Sequence, residues 1–371
     1  MDFSFSEEQE TIAKVARELF ERRCSPERLT ELEAAETRYD ASLWKELAAA
    51  DLLGIALPET AGGSGGGFLD LGLLLAEVGY NVAPVPLYAT LLLGADPIAR
   101  YGDRRLRDKH LPSVVSGGHL LSAGLMEPGR SDVTAPKTIA RRDGDSWRIE
   151  GIKELVPAGQ LADTVLIPAT TDDGDVAVFC VDTRGAGVEV KPVVTTNFEP
   201  HADLVLDGAV VAAEDRLDAP VEELYARALV GLCAVQLGVA ERAMRLAATY
   251  TSSREQFGRP VGSFQAVQQR MADAFIDVEA MRWTTWQAAW LLGANTPAHR
   301  EAAIAKVWAA EAGARVVATA QQVHGGIGID TSYPLFRYYL WGKHNELALG
   351  SAPAQLARLG ARYADRDTFG D

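Results

Sequence analysis

Basic residues are scarce relative to acids: 36 Lys plus Arg stand against 51 Asp plus Glu in 371 residues, a formal net charge of −15. A surface of that sign repels phosphate backbones and anionic lipid, so nucleic acid is not expected as a partner. Cysteine is nearly absent. Cys24, Cys180 and Cys233 are odd in number, widely separated and without metal-ligand spacing, which predicts reduced, buried thiols, no disulfide and no metal. A secretory leader is missing too, because Met1-Asp2-Phe3-Ser4-Phe5-Ser6-Glu7-Glu8 carries acids where basic residues and an apolar run belong. The mature protein is expected to start there and to be cytoplasmic. The most apolar stretch, Phe68 to Val78, is interrupted by Asp70 and Glu77 and falls short of the roughly 18–20 residues of a membrane span.

A phosphate-binding loop is also lacking. The run Gly62-Gly63-Ser64-Gly65-Gly66-Gly67 has no Lys-Ser or Lys-Thr after it and no β-branched strand before it, and reads as a plain turn.

What the chain does have is apolar content, 47% of its residues. Its length exceeds the roughly 250–300 residues at which one core stops growing, so two or three packed regions are expected. Residues 1–120 read as helices: Ser6 followed by Glu7-Glu8-Gln9 offers an N-cap, Ile12 to Phe20 is amphipathic, and Pro84 and Pro86 close a later helix. Residues 121–215 read as strands. Trp147-Arg148-Ile149-Glu150 alternates behind a hairpin signal at Asp143-Gly144, and Val165 to Pro168, Val176 to Val181, Gly187 to Val194 and Leu204 to Leu206 follow at short spacing, as in a small antiparallel barrel or sandwich. Residues 216–371 return to helical period. Phe264, Val267, Met271, Phe275, Val278 and Met281 step along one expected face, and Ile304, Trp308, Ala312 and Val316 along another.

Two segments carry a resemblance: Arg254-Glu255-Gln256-Phe257-Gly258-Arg259-Pro260-Val261-Gly262-Ser263-Phe264-Gln265, and Gln322-Val323-His324-Gly325-Gly326-Ile327-Gly328. With Ala240-Glu241-Arg242-Ala243 upstream and Tyr333-Pro334, Arg337-Tyr338 downstream, they resemble the acyl-CoA dehydrogenase family in order and spacing. The resemblance implies an α+β fold with an N-terminal helical domain, a middle β-barrel or sandwich and a C-terminal four-helix bundle through which subunits associate. It also implies an acyl-CoA substrate, FAD as cofactor and electron-transferring flavoprotein as acceptor. In relatives these two segments reach across a subunit interface to the ADP half of FAD, which makes Arg254, Gln256, Phe257, Gln265, Gln322, Gly325 and Gly326 the candidate cofactor residues. A fixed guanidinium and close backbone N–H groups are what a pyrophosphate requires.

The sequence departs from the family elsewhere. The stretch Thr-Glu-Pro-Gly-Ala-Gly-Ser-Asp that seats the flavin ring reads Met126-Glu127-Pro128-Gly129-Arg130-Ser131-Asp132, one residue short, with Ser131 a candidate substrate contact. The later Trp-Ile-Thr falls on Leu155-Val156-Pro157, losing an aromatic wall, a hydroxyl and a backbone donor. The base, usually the Glu of Tyr-Glu-Gly-Thr, falls on Leu349 in Ala348-Leu349-Gly350-Ser351. Some relatives carry it instead on the first helix of the C-terminal domain just before an arginine, here near Ala226-Arg227. Glu222, Glu223 and Glu346 are the nearby acids. A chain that keeps the ADP arm but lacks base and ring cradle resembles the non-catalytic subunit of α₂β₂ bacterial acyl-CoA dehydrogenases, such as those acting on steroid side-chain thioesters, whose partner subunit carries the chemistry. Two other readings stand beside it: a homo-oligomeric enzyme with a displaced base, and a non-catalytic acyl-CoA-binding or scaffold protein.

Overall fold

The computed structural model describes residues 4–129 and 132–364. Helices α1 (Glu7–Arg23), α2 (Pro26–Ala34), α3 (Ala41–Ala49), α4 (Phe68–Asn81), α5 (Asp96–Tyr101) and α6 (Arg104–Val115) come first, with a π-helical stretch at Tyr88–Ala95. Their starts follow local chemistry. Ser6 Oγ accepts the Gln9 N–H at 3.2 Å while Gln9 Oε1 accepts the Ser6 N–H at 3.1 Å, a reciprocal cap on α1. Asp40 and Asp103 cap α3 and α6 by accepting the N–H groups of Leu43 and Leu106.

Strands β1 (Leu121–Ala123), β2 (Ile139–Asp143), β3 (Ser146–Val156), β4 (Thr164–Thr171), β5 (Val176–Asp182), β6 (Val188–Val194), β7 (Pro200–Ala212) and β8 (Arg216–Leu217) form one sheet. Its order is β6-β7-β3-β2-β4-β5-β8, with β1 beside β4. The Asp143-Gly144 hairpin forms, pairing Asp143 with Ser146. The expected antiparallel order is corrected at two places, because β4 runs parallel to both β1 and β2. The inward face packs Trp147, Ile149, Ile167, Phe179, Leu204 and Leu206 into one core, with the Trp147 and Phe179 ring centroids 5.3 Å apart. Each such side chain contributes about 1.5–3 kcal/mol on burial.

Helix α7 (Val221–Ser253) leads into a two-stranded hairpin, β9 (Glu255–Gln256) and β10 (Arg259–Pro260), then α8 (Gln265–Gly293), α9 (His299–His324), α10 (Leu335–Leu347) and α11 (Ala352–Ala364). Helix α9 packs on α8, α10 and α11. Among the described residues, helix α7, rather than Phe68 to Val78, is the stretch long and apolar enough to cross a membrane, but its apolar window is 94% buried, as in the core helix of a globular fold. The buried line of α9 is alanine-rich, running through Ala305, Ala309, Ala312, Val316 and Ala320, and Trp308 lies outside it. On α8, Val278 and Met281 are buried as expected, whereas Phe275 is exposed together with Ile276, Trp283 and Trp290. Apolar residues on two faces of α8 blur its sequence period.

The chain packs as two compact units: the N-terminal segment through Ala16, Arg28–Leu71 and Pro84–Ala228 make one, and Arg17–Glu27, Gly72–Ala83 and the chain from Leu229 make the other. The three cysteines are unpaired with one another, and burial pushes the Cys180 and Cys233 thiols up to about 12.

In the first unit, His110 and His201 are buried, and that burial pushes both imidazoles from 6.5 down to about 4. Between those values the unfolded chain binds protons that the native chain refuses. Stability therefore falls with pH across that window, by up to about 1.4 kcal/mol per pH unit for each histidine. Denaturant midpoints measured between pH 7 and 5 are expected to decline, and His110→Gln is expected to flatten the decline; a slope unchanged in that variant would contradict the assignment.

Candidate functional site

The seven arm residues all lie in the second unit, on two stretches that meet at one aromatic contact. The last turn of α7 delivers the first stretch: Tyr250 O accepts the Arg254 N–H, and Arg254 O accepts the Val261 N–H, both at 2.8 Å, closing the base of the β9–β10 hairpin. At its tip Phe257 and Gly258 adopt φ of 56° and 76°. Phe257 is 93% exposed, set edge-on to Phe264 at 6.2 Å, and Arg259 stacks on Phe264 at 4.1 Å. Arg254, Gln256 and Gln265 are exposed. No salt bridge to Arg254 is found among the described residues.

The second stretch is the end of α9. Gln322 is exposed and its carbonyl accepts the Gly325 N–H. Gly325 holds φ 65°, ψ −143°, a region essentially confined to glycine. Gly326 differs: its φ is not positive, and a Cβ built on it meets nothing within 4 Å. Neither backbone nor space within the chain requires glycine there, which fits a backbone left bare for an outside group to approach. The Tyr250 ring stacks on His324 with centroids 4.4 Å apart at 20°, joining the two stretches. An exposed guanidinium, bare backbone amides and an exposed ring are the donors and platform that an adenosine diphosphate moiety uses.

The ring-cradle segments lie in the first unit, and their scaffold is intact. Glu127 accepts from the Lys137 N–H at 2.6 Å, the Thr138 N–H at 3.0 Å, Thr138 Oγ1 at 2.6 Å and Lys153 Nζ at 2.6 Å. These bonds hold its carboxyl down to about 2 against desolvation, while burial is the main cause pushing Lys153 down to about 8. The Met126 carbonyl accepts the Glu154 N–H at 3.0 Å, so the two segments are bridged. What is altered is their outer face. Leu155 is 45% exposed with φ 52°, its N–H donated to Asp203, and the Pro157 carbonyl accepts from Ser122 Oγ. Ser131 lies outside the described residues.

At the base position Leu349 sits just beyond α10 at φ 55°, followed by Gly350 at 90°. Gln355 Nε2 donates to the Leu349 carbonyl at 2.9 Å, and Lys306 Nζ donates to the carbonyls of Asn345 and Glu346 at 2.6 and 3.2 Å, anchoring the end of α10. The Glu346 carboxylate pairs with Lys343 at 2.6 Å. Glu223 is likewise engaged, by Arg100 at 2.9 Å, by the Tyr101 hydroxyl and by Arg227 at 3.8 Å. Arg227 is itself buried in a two-pronged pair with Asp96 at 2.6 and 2.8 Å. Glu222 is half-buried in the first turn of α7. Glu222 and Glu223 belong to the first unit and Glu346 to the second.

Three features escaped sequence reasoning: the Lys306 anchor, the Glu127–Lys153 pair, and the packing of Tyr250 and Tyr333 on His324. Lys306 is one lysine on an alanine-rich helix, with no local signal. Glu127, His324 and Tyr333 stand inside motifs visible in the sequence and Lys153 lies two residues before one, but the partner each one touches is set only by the fold.

The α-β-α order, with an exposed guanidinium and glycine amides at the ends of α7 and α9, fits a flavin-dependent oxidoreductase, and comparison with known proteins gives the family. Models of the acyl-CoA dehydrogenase N-terminal, middle and C-terminal domains match residues 6–118, 123–209 and 224–364. The chain is 39% identical to acyl-CoA dehydrogenase FadE27 of Mycobacterium tuberculosis over 98% of its own length and 99% of that protein's. Among solved structures it resembles a chain of the ChsE4-ChsE5 complex from Mycobacterium tuberculosis (TM-score 0.95, 39% identity, 99% and 100% of the two chains). It also resembles a chain of a Tcur3481-Tcur3483 steroid ACAD variant (TM-score 0.93, 43% identity, 97% and 98%). The chain belongs to the acyl-CoA dehydrogenase family, FAD-dependent oxidoreductases acting on the CH–CH bond of acyl-CoA thioesters.

The buried pair under the cradle gives a stability expectation. Lys153→Met strands the Glu127 carboxylate with fewer donors, and removing one partner of a buried pair typically costs about 3–5 kcal/mol. Chemical denaturation checks this, and a change under 1 kcal/mol, order of magnitude, would show that the backbone donors alone suffice.

Proposed function

We propose that this chain is the accessory subunit of a heteromeric acyl-CoA dehydrogenase, lending an ADP-binding arm to a related subunit that carries the base. The observation that carries the reading is Leu349 at the base position in a chain whose arm is complete. Dehydrogenation removes a proton from the thioester α-carbon while hydride leaves the β-carbon, and a carboxylate must receive that proton. FAD bound at the hetero-interface would supply the hydride acceptor. Leucine accepts no proton, and Glu223 and Glu346 are committed to cations.

In this reading Arg254 and the amides at Gly325 and Gly326 face the pyrophosphate, Gln256, Phe257, Gln265 and Gln322 lie around it, and Ser131 is the substrate-side contact. The three regions divide near residues 120 and 215. Association runs through the C-terminal helices, which the exposed Ile276, Trp283 and Trp290, spaced by seven on α8, support. The similar chains of the ChsE4-ChsE5 complex and of the Tcur3481-Tcur3483 steroid ACAD come from assemblies named for two proteins; they support an α₂β₂ partner and a bulky, steroid-type acyl-CoA. Electron-transferring flavoprotein is the acceptor this implies, and the cytoplasm the location.

Arg254→Ala is expected to lower FAD retention of the assembled oligomer at least about tenfold, since a charged hydrogen bond contributes roughly 1.5–3 kcal/mol. Gly326→Ala, harmless to the fold, is expected to weaken it as well; equilibrium titration with FAD reads both. The isolated chain supplied with FAD is expected to reduce no artificial acceptor with fatty acyl or steroid CoA thioesters, and Leu349→Glu alone is not expected to rescue it. Robust turnover by the single chain that disappears in Glu222→Gln, Glu223→Gln or Glu346→Gln would instead establish a self-sufficient enzyme with a displaced base.

A further inference from the structure

We propose that His324, clamped between Tyr250 and Tyr333, is a positioning residue that holds the two stretches of the arm in register, so that Arg254 and the Gly325–Gly326 turn address one diphosphate together. The inference rests on the arm reading above and adds how the arm is pre-organised.

The two stretches are about 70 residues apart in sequence (Arg254 to Gly325), and the arm residues themselves are exposed, so their own packing cannot align them. His324 is buried directly before Gly325. Its Nδ1 lies 2.7 Å from the Ala320 carbonyl, which can only accept, so Nδ1 carries the proton and donates. Nε2 is then the acceptor for the Tyr333 hydroxyl at 3.1 Å. Both ring nitrogens are thus used within the chain, and the neutral tautomer is specified.

The faces of the imidazole are used as well. Tyr250 stacks on it at 4.4 Å, and the Tyr333 ring packs against it at 5.2 Å and 52°. Tyr250 is the residue whose carbonyl accepts the Arg254 N–H. One covalent step therefore links His324 to Gly325, and one hydrogen bond links Tyr250 to Arg254. Among the described residues, Tyr250 and Arg242 act electrostatically on Tyr333. Burial shifts His324 further toward its neutral form. An aromatic stack with two directed hydrogen bonds resists rotation in a way that simple apolar packing does not.

The test uses equilibrium FAD titration of the full-length chain in its assembled oligomer, with thermal midpoint and oligomeric state followed in parallel. Tyr333→Phe, which keeps the ring and removes the hydroxyl, is expected to weaken FAD binding about three- to tenfold, the worth of one ordinary hydrogen bond. His324→Ala is expected to weaken it more, and His324→Gln, whose side-chain oxygen can still accept from Tyr333, is expected to recover part of the loss. The decisive measurement is the double variant. If His324 positions Arg254, then Arg254→Ala has a much smaller effect in the His324→Ala background than in the parent, although the two side chains need not touch. Equal effects of Arg254→Ala in both backgrounds, or Tyr333→Phe and His324→Ala binding FAD like the parent, would overturn the clamp and leave the arm reading standing. Arg254→Ala without effect in the parent would remove the arm reading itself, and the clamp with it.

Discussion

Lys306 is buried to 0% exposure with no carboxylate paired to its ammonium among the described residues; it instead donates to the last carbonyls of α10. Taking a cation out of water costs several kcal/mol, offset here by two carbonyls at the negative end of a helix. Burial pushes the group down to about 8. Beside it, Asn345 Nδ2 donates to Gln236 Oε1 at 2.9 Å, and a Cβ at Gly313 would meet Gln236 at 2.2 Å. Helices α7, α9 and α10 are thereby locked at one depth and register. The arm hangs from the ends of α7 and α9, and the base turn hangs from the end of α10. Helix depth is set at this buried polar junction, where a slip of one turn would leave a desolvated charge unpaired.

Scaffold and chemistry separate cleanly in this chain. Glu127 and Lys153 keep the cradle strands in place with four hydrogen bonds to one carboxylate. Yet the residues on the outer face above them are Met126, Leu155 and Pro157, none of which can donate a side-chain hydrogen bond. The same holds near the second base location. Asp96, Arg227, Glu223, Arg100 and Tyr101 form a continuous ionic lattice that occupies both carboxylates with cations and a hydroxyl. The packing at these places is therefore complete whatever chemistry the positions carry.

Most of the fold was legible because it obeys period. The alternation at Trp147 to Glu150, the Ser6–Gln9 cap and the Asp143-Gly144 turn each name their own structure. The candidate arm could be picked out because it is contiguous and glycine-marked. What was not legible depends on partners far away in the chain. Lys306 and Asn345, or Tyr250 and His324, are unremarkable until the fold apposes them. The face of α8 misled for a different reason: Phe275 continues an apolar step, but α8 is apolar on an exposed side too, so hydrophobicity alone could not say which side faces the core.

That exposed side bears on why an arm such as this one needs company. Arg254 and the glycine amides are open to water, where a guanidinium gains little from a phosphate because solvent screens both. The same donors become strong only when a second surface removes the water around them. Under the proposed function, an exposed candidate arm, Glu223 and Glu346 held by cations and large apolar residues standing out along α8 together make half a site. On the reading proposed above, burial of that apolar stripe against a related subunit does two things at once. It stabilises the assembly, and it supplies the low-dielectric wall that makes Arg254 worth having.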